Sequence, residues 1–198
     1  MRFLTVFTSL VLVVCLACSF VPTKEECDVY DQVVRLHVIA DSDSEEDQRI
    51  KLGVRDATLD LVSSITEKAK SAGEAEALLQ NHLGTIRDRA KAYLSEIACD
   101  DEVDVLLTRE NYPTRSYEDV TLPAGEYASL QIRIGEAAGH NWWCVLFPQV
   151  CTGTAGARYE MAKTGFTPDQ IRILTESESP RYQIKFKLLE ILSGNGSR

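Results

Sequence analysis

The chain has 198 residues, 30 of them acidic and 21 basic, which gives a formal net charge of −9 at pH 7. This balance argues against a nucleic-acid binder and against docking on anionic lipid, because both need a basic surface. The hydrophobic fraction of 44% is ordinary for a globular protein and excludes wholesale disorder.

The amino terminus has the composition of a targeting segment. Residues 3–23 carry no charged side chain, and Arg2 precedes them as a short positive region. This pattern predicts a secretory signal peptide over 1–23 and a single exported α+β domain over 24–198. An uncleaved N-terminal anchor and a lipoprotein are the alternatives, and each of the three would export the rest of the chain.

A strand is predicted over 33–40, where Arg35 and His37 alternate with apolar residues. The acidic run 41–47 that follows is typical of a helix start, since Ser and Asp cap free backbone N–H groups. The run lacks the glycine and the distal glutamate of an EF-hand, and His37 with a nearby carboxylate has no evident third ligand for Zn²⁺. We therefore expect no metal site and no cofactor.

Two long helices are predicted next, because the chain has no proline between Pro22 and Pro113. The first runs to about residue 70, and Ser71 to Glu74 fits a capping box that opens the second, which ends near residue 98. The apolar stripe predicted for the first helix comprises Ile50, Val54, Ala57, Leu61 and Ile65.

The remaining chain favours strands. They are predicted over 102–109, 127–134 and 141–147. Between them we expect a turn or extended loop over 112–117, a turn over 122–125 and a hairpin-sized loop over 135–139. We expect only short structure over 158–175, and the segment 181–192 fits a strand or a helix. The order of elements predicts an α+β fold, with helices on one face of a mixed or antiparallel sheet.

The segment His140-Asn141-Trp142-Trp143-Cys144 contains the residue types of a papain-like triad. On one strand, however, His140 and Cys144 lie too far apart for a hydrogen bond. The alternative is a strand whose tryptophans pack and whose cysteine bridges to Cys151. Four cysteines remain after the signal segment and allow three pairings, among which the short Cys144–Cys151 loop is the natural choice.

Two stretches resemble the stage II sporulation protein R family. VVRLHVIADSDSEEDQRIKLGVRD (33–56) is similar to the family's opening pattern, RLHVIANSDSxxDQxLKxxVRD. LPAGEYASLQIRIGEAAGHNWWCVLFP (122–148), followed by Cys151, is similar to its LPAGxYxALxxxIGxxxGHNWWCVLFPxLC. Asp41 departs from an expected Asn, and Gln149 departs from a second Pro.

The resemblance implies an exported signalling protein of endospore formation rather than an enzyme. Such a protein leaves the forespore and acts in the space between the forespore and mother-cell membranes. There it activates a membrane-embedded aspartic protease, which processes the pro-form of the sigma factor sigma-E. The partner-binding candidates in the two motifs are Arg35, His37, Asp41, Asp43, His140, Asn141, Trp142 and Trp143. The alternative is an exported cell-wall hydrolase or cysteine peptidase that uses Cys144 and His140.

Overall fold

A computed structural model describes residues 2–18, 29–117, 120–149 and 156–175. Its helices are α1 (Arg2–Cys18), α2 (Glu45–Thr66), α3 (Ala72–Glu96), α4 (Ala157–Lys163) and α5 (Pro168–Thr175), with a 3₁₀ turn at Tyr30–Gln32. Its strands are β1 (Val34–Ile39), β2 (Val103–Tyr112), β3 (Arg115–Tyr117), β4 (Val120–Leu122), β5 (Gly125–Ile134) and β6 (Asn141–Phe147). The ambiguous segment 181–192 lies outside the described residues.

Four strands form a mixed sheet in the order β2-β5-β1-β6. Strand β1 is parallel to β5 and antiparallel to β6, and β2 is antiparallel to β5. The α+β prediction is confirmed. The loop predicted at 135–139 is present, but it does not close a hairpin, because β1 lies between β5 and β6. All six residues of β1 are buried, which suits a central strand, so the connection from β5 to β6 crosses over the end of β1.

The long helices α2 and α3 cover one face of the sheet. Each begins at a serine, since Ser44 Oγ accepts a hydrogen bond from Asp47 N and Ser71 Oγ accepts one from Glu74 N. The Glu74 carboxylate accepts from the backbone N–H of Lys70, one residue before the cap, so the predicted capping box is offset by one position.

The buried stripe of α2 differs from the predicted one. It comprises Ile50, Lys51, Val54, Thr58, Val62 and Thr66. Thr58 and Thr66 are tolerated in the core because their hydroxyls donate to the carbonyls of Val54 and Val62, at 2.8 and 3.1 Å. The predicted Leu61 and Ile65 lie half-buried at the flank, and Ala57 is also half-buried.

The opposite face of the sheet holds a second hydrophobic cluster. The β3–β4 hairpin and the short helices α4 and α5 contribute to it, and β3 occupies part of the segment for which a turn or extended loop is predicted. Its buried members are Val29, Val33, Tyr112, Val120, Leu122, Tyr127, Val145, Met161, Phe166 and Leu174. As predicted, Arg35 and His37 lie on the other side of β1 from Val34, Leu36 and Val38, which pack under the long helices.

The apolar amino terminus forms α1, a helix of 17 residues. Among the helices of the described segments, none has the length and hydrophobicity that a membrane span requires. The signal peptide and the export of the chain stay predictions.

Candidate functional site

Two loops meet at the carboxyl end of the central strand β1, where the connection from β5 to β6 crosses over it. Ala138 N donates to Asp41 O and Gly139 N donates to Ala40 O, both at 3.0 Å. We call residues 40–48 and 135–141 together the clasp. The clasp joins the two sequence motifs, which lie in opposite halves of the chain.

Two of the predicted acids hold the clasp closed. Asp41 Oδ1 accepts a hydrogen bond from Glu136 N at 2.6 Å. Asp43 Oδ1 accepts one from His140 N, 97 positions away, at 2.6 Å, and the His140 ring also bonds to this carboxylate. The side-chain hydrogen bond from His140 holds the pKa of Asp43 below its ordinary value.

A buried lysine of α2 forms hydrogen bonds to both segments of the clasp. Lys51 Nζ donates to the backbone carbonyl of His140 at 2.9 Å and to Gln48 Oε1 at 2.5 Å, and Gln48 Nε2 donates to Ser42 O at 2.9 Å. Burial lowers the pKa of Lys51. Lys51 is not among the predicted residues, because a lysine on a helix is ordinarily exposed.

Beside the clasp lies a cleft of about 330 Å³. Its lining consists of Asp43, Arg115, Ala138, Gly139, His140, Asn141 and Trp143. The Arg115 guanidinium lies 4.1 Å from the centre of the Trp143 ring, a cation–π arrangement. The side chains of His140 and Asp43 are 77% and 58% exposed. An aromatic ring, an arginine and exposed polar groups are the chemistry that protein partners recognise.

The cleft gathers some of the predicted candidates and leaves out others. Asp43, His140, Asn141 and Trp143 line it, and Arg115 joins them without having been predicted. Trp142 points to the opposite face, where the Arg55 guanidinium lies 4.9 Å from its ring centre. This split follows from strand geometry, since neighbouring residues of a strand face opposite sides of the sheet.

Arg35 and His37 are 0% and 4% exposed, so neither forms part of the cleft surface. His37 Nδ1 lies 2.9 Å from Glu110 Oε1. Burial opposes ionisation of Glu110, but the hydrogen bond and charge of His37 outweigh it and hold the pKa of Glu110 below its ordinary value. The Arg35 guanidinium stacks 3.8 Å from the centre of the Tyr112 ring and donates to the Tyr117 hydroxyl.

The geometry argues against a Cys144–His140 catalytic pair. Cys144 is 1% exposed and belongs to the core under the long helices, whereas the exposed His140 ring bonds to Asp43. A thiol nucleophile needs its base within hydrogen-bond reach and a site that substrate can enter. Among the described residues, no group of His, Cys, Asp and Glu side chains could hold a metal ion.

The Cys144–Cys151 bridge stays a prediction, because Cys151 lies outside the described residues. We expect iodoacetamide to leave both cysteines unmodified in denatured, unreduced protein, and non-reducing peptide mapping to find their peptides joined. Cys99, which is free, serves as the internal control and is expected to be alkylated. Alkylation at Cys144 without reduction would contradict the bridge.

Comparison with known proteins shows which family this chain is similar to. The model of the family described as stage II sporulation protein R matches residues 30–156. A curated relative, Stage II sporulation protein R of Bacillus subtilis (strain 168), is 35% identical over 121 residues. That alignment covers 61% of this chain and 54% of the relative, so the chain spans about half the length of the relative it matches. No solved structure matches the chain.

Proposed function

The chain belongs to the stage II sporulation protein R family, and on that premise we propose that it is an exported sporulation signal that acts by binding a protein partner. The partner is a membrane-embedded aspartic protease, which then processes the pro-form of sigma-E. The place of action is the space between the forespore and mother-cell membranes. The protein acts as a ligand of the protease, without catalysis or a cofactor of its own.

The observation that carries this proposal is the clasp and the cleft beside it. Asp43 and His140 come from motifs in opposite halves of the chain, yet they are bonded to each other and both remain exposed. Arg115 and Trp143 complete a surface with a cation, an aromatic ring and polar groups in fixed positions. A rigid surface of this kind suits the binding of a partner loop, because little side-chain freedom is lost on association.

Activation by a ligand requires a difference in affinity between two states of the target. A signal that binds the active form of the protease more tightly than the inactive form shifts the population toward the active form. Equal affinity for both forms would shift nothing. The cleft therefore needs a complementary surface that the protease presents fully in only one of its states.

The test is a reconstituted processing assay in a host that does not sporulate. The full chain is co-expressed with the membrane protease and the pro-form of sigma-E, and substrate size is followed by immunoblot. We expect processing only when all three proteins are present and the chain is exported. A version without residues 1–23 is the control for export. Absence of processing with all three proteins present and exported would contradict the proposal.

We expect Arg115→Glu to reduce processing several-fold, because it replaces a cation of the cleft with an anion and removes the positive charge from the face of Trp143. Arg49→Glu is the matched control: it makes the same charge change at an exposed residue of α2 outside the cleft. Immunoblots of the exported fraction should show equal amounts of the two variants. Equal processing by both variants would place the contact surface elsewhere.

The hydrolase or cysteine peptidase alternative makes a different prediction in the same assay. Catalysis by the thiol requires Cys144 alone, so Cys144→Ser would abolish activity while Cys151→Ser would retain it. A bridge between the two cysteines makes the variants equivalent, since either one breaks it. We expect the two variants to behave alike, whether processing survives or falls.

A further inference from the structure

Arg35 is a fully buried cation with unused hydrogen-bond donors. Its side chain is 0% exposed, and its polar contact is the hydrogen bond to the Tyr117 hydroxyl. Nε and one terminal nitrogen of the guanidinium are buried without a hydrogen-bond partner among the residues that the structure describes. The rings of Tyr112 and Tyr127, centred 3.8 and 5.1 Å away, offset part of the charge through cation–π contacts. A buried guanidinium in such surroundings is strongly stabilised by an anion that uses its free N–H groups.

Two more buried nitrogens near Arg35, Trp143 Nε1 and His37 Nε2, have no hydrogen-bond partner in the described part of the chain. Both rings pack around Tyr112, with centroid distances of 5.9 Å to Trp143 and 6.1 Å to His37. The His37 and Trp143 rings are themselves 5.7 Å apart. Unused nitrogens from three neighbouring strand residues thus surround one aromatic ring. Such a concentration is unusual, because most buried polar atoms in proteins are hydrogen-bonded.

We propose that Arg35 and Trp143 form a binding site for a carboxylate group on this face of the sheet. A guanidinium presents parallel N–H groups that match the two oxygens of a carboxylate, and the indole N–H adds a third donor. Glu110, the acid beside His37, is already engaged by the His37 ring. A single negative charge balances the single charge of Arg35, and a monoanion costs less to dehydrate between aromatic rings than a dianion.

The cleft beside the clasp adjoins this site through Trp143. Trp143 belongs to both, since it lines the cleft under Arg115 and also packs against Tyr112 and His37. Arg115 is exposed and attracts an anion to the entrance, and the β3 residue Tyr117 covers Arg35 through its hydroxyl. Carboxylate entry therefore displaces the Tyr117 hydroxyl from the guanidinium. The carboxylate comes from a small organic acid or from an acidic side chain of a bound protein.

The first test titrates the full chain, purified in a non-ionic detergent, with sodium acetate at pH 7. Sodium chloride at matched ionic strength is the control. We expect acetate to raise the melting temperature in a saturable way, by roughly 2–4 °C beyond chloride. We also expect it to change the fluorescence of Trp143, read in a Trp142→Phe background because Trp142 lies on the other face. No difference between acetate and chloride would overturn the proposal.

Matched variants identify the residues that are responsible for the response to acetate. Arg35→Met is expected to abolish the response to acetate, and Trp143→Phe is expected to weaken the affinity for acetate several-fold while it keeps a ring in place. Trp142→Phe, the same change on the opposite face, is expected to retain the full response. Trp143→Phe leaves the test decisive even if Arg35→Met fails to fold. An acetate response that persists unchanged in Trp143→Phe would contradict the site.

A short peptide with one glutamate, compared with its glutamine counterpart, distinguishes the two sources of the carboxylate. Stabilisation by acetate and by the glutamate peptide, but not by the glutamine peptide, indicates a side chain of a protein partner. Stabilisation by acetate and by neither peptide indicates a small organic acid, and both results support the site. The inference does not rest on the proposed function, because these titrations involve no protease.

Discussion

Replacing Gly139 by alanine is expected to lower the free energy of unfolding by roughly 2–3 kcal/mol and the melting temperature by roughly 4–12 °C. A Cβ atom at this position would lie 2.1 Å from the backbone oxygen of Ser42 and 2.5 Å from its carbonyl carbon. Both atoms are backbone, so no side chain can rotate away. Relief of the overlap would pull apart the Gly139 N–H···O=C Ala40 hydrogen bond and open the clasp. Thermal denaturation followed by circular dichroism measures the loss.

Gly84→Ala is the control for the same chemical change. Gly84 lies in α3, and an added Cβ would meet nothing within 4 Å. Alanine there is expected to stabilise the protein by roughly 0.5–1 kcal/mol, because glycine is a poor helix residue. If Gly139→Ala were as stable as the wild type, the clasp would have room that the structure does not show. If Gly139→Ala keeps its fold at low temperature, it is expected to lose processing as well.

The local structure of β1 and of the two long helices was predictable from sequence. Alternation along 34–39 separated the two faces of β1 correctly, and the run 41–47 and the serine at 71 marked the two helix starts. The stripe of α2 was not predictable in detail, because the rotation of a helix is set by the whole surface beneath it. Apolarity favoured Leu61 and Ile65, yet Thr58 and Thr66 are buried, since each hydroxyl finds a carbonyl in its own helix.

The order of the strands in the sheet could not be predicted from local sequence patterns. A five-residue loop between two strands resembles a hairpin, and nothing local indicates that β1 separates β5 from β6. The same crossing creates the clasp, so the pairing of Asp43 with His140 could not be read from either motif alone. Arg115 was missed for a related reason: its segment has the composition of a turn, and only the β3–β4 hairpin carries it to Trp143.

Replacing Glu110 by glutamine is expected to cost roughly 1–2 kcal/mol of stability at pH 7, and progressively less as the pH falls below 4.5. The Glu110 carboxylate pairs with His37, whose side chain is only 5% exposed. The pKa of Glu110 in the folded protein lies below its ordinary value of 4.5. Its contribution to stability is therefore present above pH 4.5 and is lost as the pH falls through the folded-state pKa. Urea denaturation at a series of pH values measures the difference from the wild type.

Glu102→Gln separates the effect of burial from the effect of charge pairing. Glu102 also pairs with a cation, Lys91, and the hydrogen bond from Lys91 lowers the pKa of Glu102, but its side chain is 85% exposed. Solvent screens such a pair, so this variant is expected to match the wild type in urea at every pH. A deficit in Glu110→Gln that stays constant from pH 7 to acid would show that packing, rather than the charge of Glu110, holds His37. The Glu110–His37 pair would then contribute no pH dependence to the stability of the protein.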